Sequence, residues 1–396
     1  MRGPYLVELA QREKAGKLLG DIAPDLAGLE IMLEKERIYP LYVREVKTPA
    51  AHILKENMLS LGGEAVTARG VLNHALEVSD VLLLGTEKQY KALAPKLARQ
   101  PWGLKSLGQN ILDLLARVIN PKRLVWTWPG KELVIGEKVL VMGILNITPD
   151  SFSDGGKFFD QRKALEHARQ MVEDGADIID VGAESTRPGS QPVSGEEEQE
   201  RLLPILELLK KEIAVPVSVD TYRASTAKAA LDLGAEIIND VGGGKFDQEI
   251  ARVAAEYQVP AILMHHEKVD ALDTFGMIGA VVDGLRESMQ IYAEAGLSPE
   301  KMMIDPGIGF GKGTQGNLIL LNNLAALKTL PCPFLLGASR KSFIGETLDL
   351  PVTERKEGSL AAAAWGVFQD AAVVRVHDVK ETARLVRLLE AIREAR

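Results

Sequence analysis

"VLVMGILNITPDSFSDGG", Val139 to Gly156, decides how this chain is to be read. From Val139 to Leu145 the run holds no polar side chain, and from Asn146 it turns into a loop of Pro, Ser, Asp and Gly. A strand apolar on both faces belongs in a parallel sheet covered by helices. A bendable polar loop at its C-terminal end is where such folds keep binding and catalytic groups.

The pattern recurs along the chain. Apolar runs fall at Leu140–Asn146, Ile178–Ala183, Val215–Asp220, Glu236–Asp240, Ala261–His265, Met302–Asp305, Pro333–Gly337 and Ala372–Val376. Helical stretches lie between them, among them Gln161–Asp174, Glu196–Ile213, Arg223–Leu233 and Val281–Ala295. Strand then helix, eight times in roughly 250 residues, predicts an α/β fold of the TIM (β/α)8 barrel type. A doubly wound open sheet is the rival. It would gather its polar clusters at one switch point, whereas here they follow many different strands.

The barrel is expected over residues 131–396, preceded by a small α/β N-terminal domain over 1–130. In that domain Val81–Leu84 reads as a strand, and Ala50–Leu61, Lys91–Ala98 and Leu107–Val118 as helices. Trp126-Thr127-Trp128-Pro129-Gly130 reads as the boundary. Lys131–Lys138 reads as a short hairpin, with its turn at Gly136-Glu137-Lys138, that plugs the N-terminal face of the barrel. The N-terminal domain shows no motif that carries chemistry, so a packing or oligomerisation module is expected.

Lys and Arg number 47 against 55 Asp and Glu, a net charge of -8. That argues against a generic nucleic-acid binder but leaves room for a local basic pocket. A single cysteine, Cys332, excludes an intramolecular disulfide. The start lacks a signal-peptide core and no run approaches membrane-spanning length. A cytoplasmic protein that touches neither membrane nor nucleic acid is expected.

In a TIM barrel the site lies at the C-terminal ends of the strands. After the eight runs come Asn146, Glu184-Ser185-Thr186-Arg187-Pro188-Gly189, Asp220, Asn239-Asp240, Met264-His265-His266, Asp305-Pro306-Gly307-Ile308-Gly309-Phe310-Gly311-Lys312, Ser339-Arg340-Lys341 and Arg375-Val376-His377-Asp378. Carboxylates and amides can pair with ring N–H and amino groups, and Arg and Lys with phosphate oxygens. Such a mouth suits a polar heterocycle that bears an anion.

The strings "MGILNITPDSFSDGG", "GADIIDVGAESTRPGS", "SVDT", "IINDVGG", "MIDPGIGFGK", "GASRKSFIG" and "VVRVHDV" together resemble the dihydropteroate synthase family, over about residues 135–394. Residues before about 130 lie outside that family's common core. The resemblance implies a transferase of folate biosynthesis. It joins 6-hydroxymethyl-7,8-dihydropterin diphosphate to 4-aminobenzoate and releases diphosphate and 7,8-dihydropteroate. It also implies roles for residues. Asp220, Asn239, Met264, Asp305 and Lys341 would hold the pterin. Asn146, Arg375 and His377 would hold the diphosphate, with Mg2+ bridging Asn146 and the phosphate oxygens. Thr186, Arg187, Pro188, Phe310 and Ser339 would surround the aminobenzoate. Asp220, Asp305, Lys341, Arg375 and His377 would carry the chemistry, with Asp220 and Asp305 remaining ionised. The loop opened by Asn146 and the "STRPG" loop would fold over the site. Sulfonamides, which mimic aminobenzoate, would compete with it. A homodimer is expected on the same ground.

Plainer readings apply to other residues. "GIGFGK" is not a P-loop, because no glycine stands five residues before Gly311 and Gly313 follows Lys312. Lys312 is then expected to be solvated. His265 and His266 are adjacent on a strand and point to opposite faces, so they make a poor chelating pair and a structural histidine is expected. Glu196-Glu197-Glu198 reads as a solvated first helical turn, and Cys332 as packing. Two further functions share the pterin pocket: a pterin-dependent methyltransferase serving a corrinoid protein, and a non-catalytic pterin-binding protein. Arg375 and His377 argue against the second, which has no use for an anion site.

Overall fold

The computed structural model describes residues 12–22, 24–147, 156–184, 193–270 and 273–395. These divide into two compact units, Met1–Pro121 and Lys122–Arg396.

The N-terminal unit is built on strands β1 (Ile38–Lys47), β2 (Glu64–Thr67) and β3 (Val78–Thr86). They form an antiparallel sheet in the order β1-β3-β2. Its helices are α1 (Arg12–Asp21), α2 (Leu26–Leu33), α3 (Thr48–Ser60), α4 (Glu87–Leu97) and α5 (Leu104–Ile119). Ala50, Leu54 and Met58 of α3, Tyr90, Leu93 and Leu97 of α4, and Ile111 and Leu115 of α5 share a core with Val81 and Leu83. A full capping box starts α4, where Thr86 and Gln89 bond each other's backbone N–H. The register of β1 against β3 shifts between Val43 and Val46, with Glu45 at φ 53.

The second unit opens with a hairpin, β4 (Leu124–Trp128) and β5 (Lys131–Ile135). Eight parallel strands follow: β6 (Leu140–Asn146), β7 (Ile178–Gly182), β8 (Val217–Asp220), β9 (Ile237–Asp240), β10 (Ala261–Met264), β11 (Met302–Asp305), β12 (Leu335–Leu336) and β13 (Val373–Val376). Each pairs with its neighbour in the order β11-β10-β9-β8-β7-β6-β13-β12. A parallel bridge between Ile304 and Phe334 closes the ring. Helices α6 (Gly156–Glu173), α7 (Gly195–Glu212), α8 (Ala224–Asp232), α9 (Glu249–Tyr257), α10 (Thr274–Glu294), α11 (Gly313–Asn322), α12 (Ser342–Leu348), α13 (Lys356–Phe368) and α14 (Val379–Glu394) surround it. Among the described residues no helix is long and apolar enough to cross a membrane.

Alternation sorts the strand side chains. Val141, Leu145, Ile179, Val181, Val217, Val219 and Leu263 point outward and pack with the helices. Leu140, Met142, Ile178, Ile237, Ile262, Met303, Leu335 and Val373 point inward and form an apolar floor with Trp126, Leu133 and Ile135 of the hairpin. The hairpin is therefore a plug, but its turn is Pro129-Gly130 rather than Gly136-Glu137-Lys138. The unit boundary correspondingly falls at Pro121/Lys122 and not after Gly130. The indoles explain the correction. Trp126 donates its ring N–H to the Glu300 carbonyl at 2.9 Å and Trp128 to the Glu236 carbonyl at 3.1 Å, both on barrel loops. Trp126 is only 3% exposed. Trp126→Ala is expected to cost about 3–5 kcal/mol of barrel stability, as for other buried tryptophans. Chemical denaturation checks this, and an unchanged midpoint would remove the hairpin from the barrel core.

Candidate functional site

One step above the floor the inward positions turn polar. Asp180 and Ser218 are fully buried on β7 and β8. Asn239 and Met264, on β9 and β10, are nearly so, as is Asp305 at the end of β11. Arg375, on β13, reaches across the barrel. Its Nε donates to Asp180 Oδ2 at 2.6 Å and its Nη2 to Asp220 Oδ2 at 2.6 Å. Asn239 Nδ2 donates to the same Asp180 oxygen at 3.1 Å. Gly182 stands between Asn146 and Asp220 in the ladder. A Cβ there would lie 3.3 Å from that of Asp220, so glycine leaves the carboxylate its space.

Lys341 comes from the turn after β12. Arg340 precedes it at φ 56, in the left-handed region that non-glycine residues avoid at a cost of about 1–2 kcal/mol. A two-toothed ion pair with Asp378, at 2.6 and 3.1 Å, and a 2.8 Å bond from its N–H to Ser359 hold it there. The Lys341 ammonium lies 3.9 Å from the centre of the Phe310 ring, a cation–π contact. Ser339 Oγ sits 3.0 Å from His377 Nδ1 and accepts the His377 backbone N–H at 3.3 Å.

Burial governs the charges. It raises Asp220 to about 7, against the pull of Arg375 and with help from Asp180. Asp305 is raised by burial too, although the Gly307 N–H (2.7 Å) and Lys341 oppose it. Asp220 is therefore not simply held ionised as the resemblance implies: burial brings it to about 7. Burial and then Arg375 pull Lys341 down to about 8, opposed by Asp305 and Asp220. For Arg375 burial works downward, but the carboxylates of Asp180 and Asp220 outweigh it and the guanidinium stays charged.

Asp220, Asn239, Asp305, Lys341 and Arg375 thus share one mouth, with Phe310, Ser339 and His377 at its edge. Met264 pairs with Asp305 across the ladder, and Asn146 ends β6 half-buried. Thr186, Arg187 and Pro188 lie outside the described residues, as does the loop from Thr148 to Gly155. At the described flanks of the "STRPG" segment, Arg223 bonds the Glu184 carboxylate at 2.7 Å and the Val193 carbonyl at 2.7 Å.

Other expectations change. Lys312 is not solvated. It is 4% exposed, and its ammonium donates to the carbonyls of His265, Gly307 and Phe310 at 3.1, 3.0 and 2.9 Å. The glycine turns at 307, 309 and 311, all with positive φ, bend the loop around the side chain so that these carbonyls meet it. Glu198 is not in a solvated turn either, being 1% exposed and bonded to Arg223 at 3.0 Å and Thr226 at 2.7 Å. His265 is structural, as expected. Its Nε2 lies 3.0 Å from Glu267, and burial pulls it down to about 4.

Nothing in the sequence assigns a role to Asp180, Arg340 or Asp378, although the last two follow strand ends. Asp180 carried a signal: it is the one ionisable residue inside an otherwise apolar buried run, "IIDVG".

Among the described residues no three His, Cys, Asp or Glu side chains are grouped to hold a metal ion. A small hard cation such as Mg2+ keeps several waters and takes one or two protein oxygens beside substrate phosphates, and the side-chain amide oxygen of Asn146 suits that mode. Chemically, then, the mouth offers acceptors for ring N–H groups on one side and cations for an anion on the other.

Comparison with known proteins agrees. The family described as pterin binding enzymes matches residues 142–377. The dihydropteroate synthase of Clostridium beijerinckii is 49% identical over 264 residues, which is 66% of this chain and 97% of that protein. A solved structure of the Xanthomonas albilineans dihydropteroate synthase with 4-aminobenzoic acid is 36% identical. It superposes with a TM-score of 0.65 over 69% of this chain and 100% of that one. A probable bifunctional folylpolyglutamate synthase/dihydropteroate synthase of Halobacterium salinarum is 38% identical over 88% of this chain and 42% of its own length. That alignment is longer than the barrel unit, so it takes in part of the N-terminal unit as well.

Proposed function

This chain belongs to the dihydropteroate synthase family, and from that premise we propose how its barrel mouth divides the work of the reaction. The reaction joins 6-hydroxymethyl-7,8-dihydropterin diphosphate to 4-aminobenzoate, giving 7,8-dihydropteroate and diphosphate. The bond from the pterin CH2 to the diphosphate oxygen breaks, and a bond from the CH2 to the amine nitrogen forms. The amine's surplus proton leaves after attack, so no strong base is needed.

The observation that carries the proposal is the single connected cluster of Asp180, Asp220, Asn239 and Arg375, with Asp305 and Lys341 beside it. Asp220, Asn239 and Asp305 bind the ring's amino and N–H groups, Lys341 donates to its acceptors, and Met264 lines the pocket. As positive charge builds on the ring during ionisation, the two carboxylates stabilise it. Arg375 and His377 neutralise the departing diphosphate, with Ser339 fixing the His377 ring by its Nδ1. Asn146 would hold Mg2+ together with the phosphate oxygens, and the ion would supply charge neutralisation to the leaving group. Phe310 and Ser339 line the aminobenzoate subsite, with Thr186, Arg187 and Pro188. The Lys341–Phe310 contact joins that subsite to the pterin pocket. Sulfonamides compete there. A homodimer belongs to the same proposal, supported by Trp365 and Phe368 of α13, which are 43% and 56% exposed.

The test is an assay of diphosphate release. Release in step with dihydropteroate, and only when 4-aminobenzoate is present, supports the reading; none from purified protein removes it. The relatives reported above are synthases, so a corrinoid methyltransferase or a purely binding protein is not favoured.

A pH profile follows from the charges. The ionised form of Asp220 binds ring N–H groups, so kcat/KM for the pterin substrate should rise as pH passes about 7. Lys341 must be protonated to donate, so kcat/KM should fall as pH passes about 8. A narrow bell between these limbs is expected, with the two values belonging to the coupled cluster. Initial rates at low substrate across pH 5–10 check it. A flat profile through neutrality would contradict the assigned charges.

A further inference from the structure

We infer that Asp180 is a positioning residue for the pterin pocket, setting which face of the Asn239 amide meets the substrate and tethering Arg375 at the same time. The inference rests on the pterin reading above and names a residue that reading leaves out.

Asp180 sits between the apolar floor and the mouth. Its strand neighbours Ile179 and Val181 belong to the outer core, and Ile178 to the floor. A carboxylate with no exposed surface at such a place is costly unless its oxygens are used. Oδ2 takes two donors, Asn239 Nδ2 at 3.1 Å and Arg375 Nε at 2.6 Å.

The Asn239 contact fixes a direction. A carboxylate only accepts, so the Asn239 NH2 must face Asp180. The carbonyl oxygen of Asn239 is then turned away, and the pocket meets an acceptor. Opposite a neutral partner the amide could flip and present donors instead. Dihydropterin carries donors at its 2-amino group, N3 and N8. A pocket whose acceptors come from Asp220, Asp305 and a fixed Asn239 oxygen, with Lys341 as the donor, matches that pattern.

The Arg375 contact fixes an arm. Arg375 Nη2 now occupies Asp220 Oδ2. A substrate N–H that takes this oxygen displaces Nη2, while the Nε bond to Asp180 keeps the guanidinium in the mouth, where the diphosphate arrives. Among the described residues Asp180 Oδ1 and the Ser218 hydroxyl are both fully buried without a partner, and the two residues are opposite each other in the ladder. Buried polar atoms in that state call for a water or a ligand atom, so the tier under the pocket is built for polar contents.

Calorimetric titration of the full chain with the dihydropterin diphosphate tests this. Absence of binding to the wild-type protein would overturn the pterin reading itself. With wild-type binding in hand, Asp180→Asn is expected to weaken it roughly ten- to a hundredfold, as for loss of a charge-assisted hydrogen bond. KM for 4-aminobenzoate should not move. The combined variant Asp180→Asn with Asn239→Asp should bind more tightly than either single variant. There the amide at 180 donates to the carboxylate at 239, whose second oxygen again offers the pocket an acceptor. Wild-type affinity in Asp180→Asn overturns the inference, and so do losses that simply add in the combined variant. If Asp180→Asn alone does not fold, Asn239→Asp decides, because it sets two carboxylates face to face and must bind worse than the combined variant; equal binding overturns the inference.

Discussion

Asp305→Asn is expected to weaken binding of the dihydropterin diphosphate roughly a hundredfold and to leave the fold intact. The substitution keeps shape and volume. One Asp305 oxygen accepts the Gly307 N–H at 2.7 Å, and an Asn oxygen can do the same. The other end then presents NH2 where the substrate also brings N–H, so two donors meet in a buried pocket. Such mismatches cost more than a missing bond, since neither donor regains water. Lys341→Ala should reach a similar loss by another route. It removes the cation that faces Asp305 and Asp220 and uncovers the Phe310 ring. Direct titration of both variants, with circular dichroism to confirm folding, measures the effect. Wild-type affinity in either would mean that the pterin sits elsewhere.

Arg375→Met should damage stability and catalysis together. The variant leaves Asp180 and Asp220 buried without their shared cation, and breaking a buried pair from one side costs about 3–5 kcal/mol. The sign of the pH dependence can be stated. An Asp whose folded pKa lies above its unfolded value near 3.9 is bound to a proton more tightly when folded. Folding stability from that group therefore falls as pH rises between the two values and levels off above the higher one. In the native protein the higher value for Asp220 is about 7. Without Arg375 it moves up, so the decline continues above 7. The stability gap between variant and native protein should then be wider at pH 8 than at pH 6. On the kinetic side, loss of one charged donor to the leaving group should lower kcat by roughly 100- to 1,000-fold, as for an oxyanion-hole donor. Thermal melts at both pH values and steady-state rates check the two claims. A gap independent of pH would show that Arg375 does not neutralise Asp220.

The barrel could be read from the chain because its strands are short, apolar on both faces and closed by polar residues. Met302–Asp305 is a strand over the residues expected, and even β12, only Leu335–Leu336, lay inside the run Pro333–Gly337. The N-terminal sheet was harder. β1 holds Pro40 and Arg44-Glu45 among its apolar residues, and its register shift breaks the alternation that marks a strand. The hairpin was misplaced because Gly136 looks like a turn, while the folded chain turns at Pro129-Gly130.

The rim was legible for a similar reason: Asp220, Asn239, Asp305 and Arg375 each end or nearly end a strand. What escaped was the tier below and the supports around it. Asp180 hides inside a strand, and Arg340 acts through a backbone angle and through Asp378, which is far off in sequence. Lys312 looked like a surface residue because the carbonyls that hold it belong to a glycine-bent loop, whose path no local pattern announces.

Crystals of the full chain soaked with the dihydropterin diphosphate put the central claim to its most direct trial. The ring should be found among Asp220, Asn239, Asp305 and Lys341, its diphosphate reaching Arg375 and His377, with Arg375 Nη2 withdrawn from Asp220. Density for the ring on any other surface, with the Arg375–Asp220 pair still closed, would contradict it.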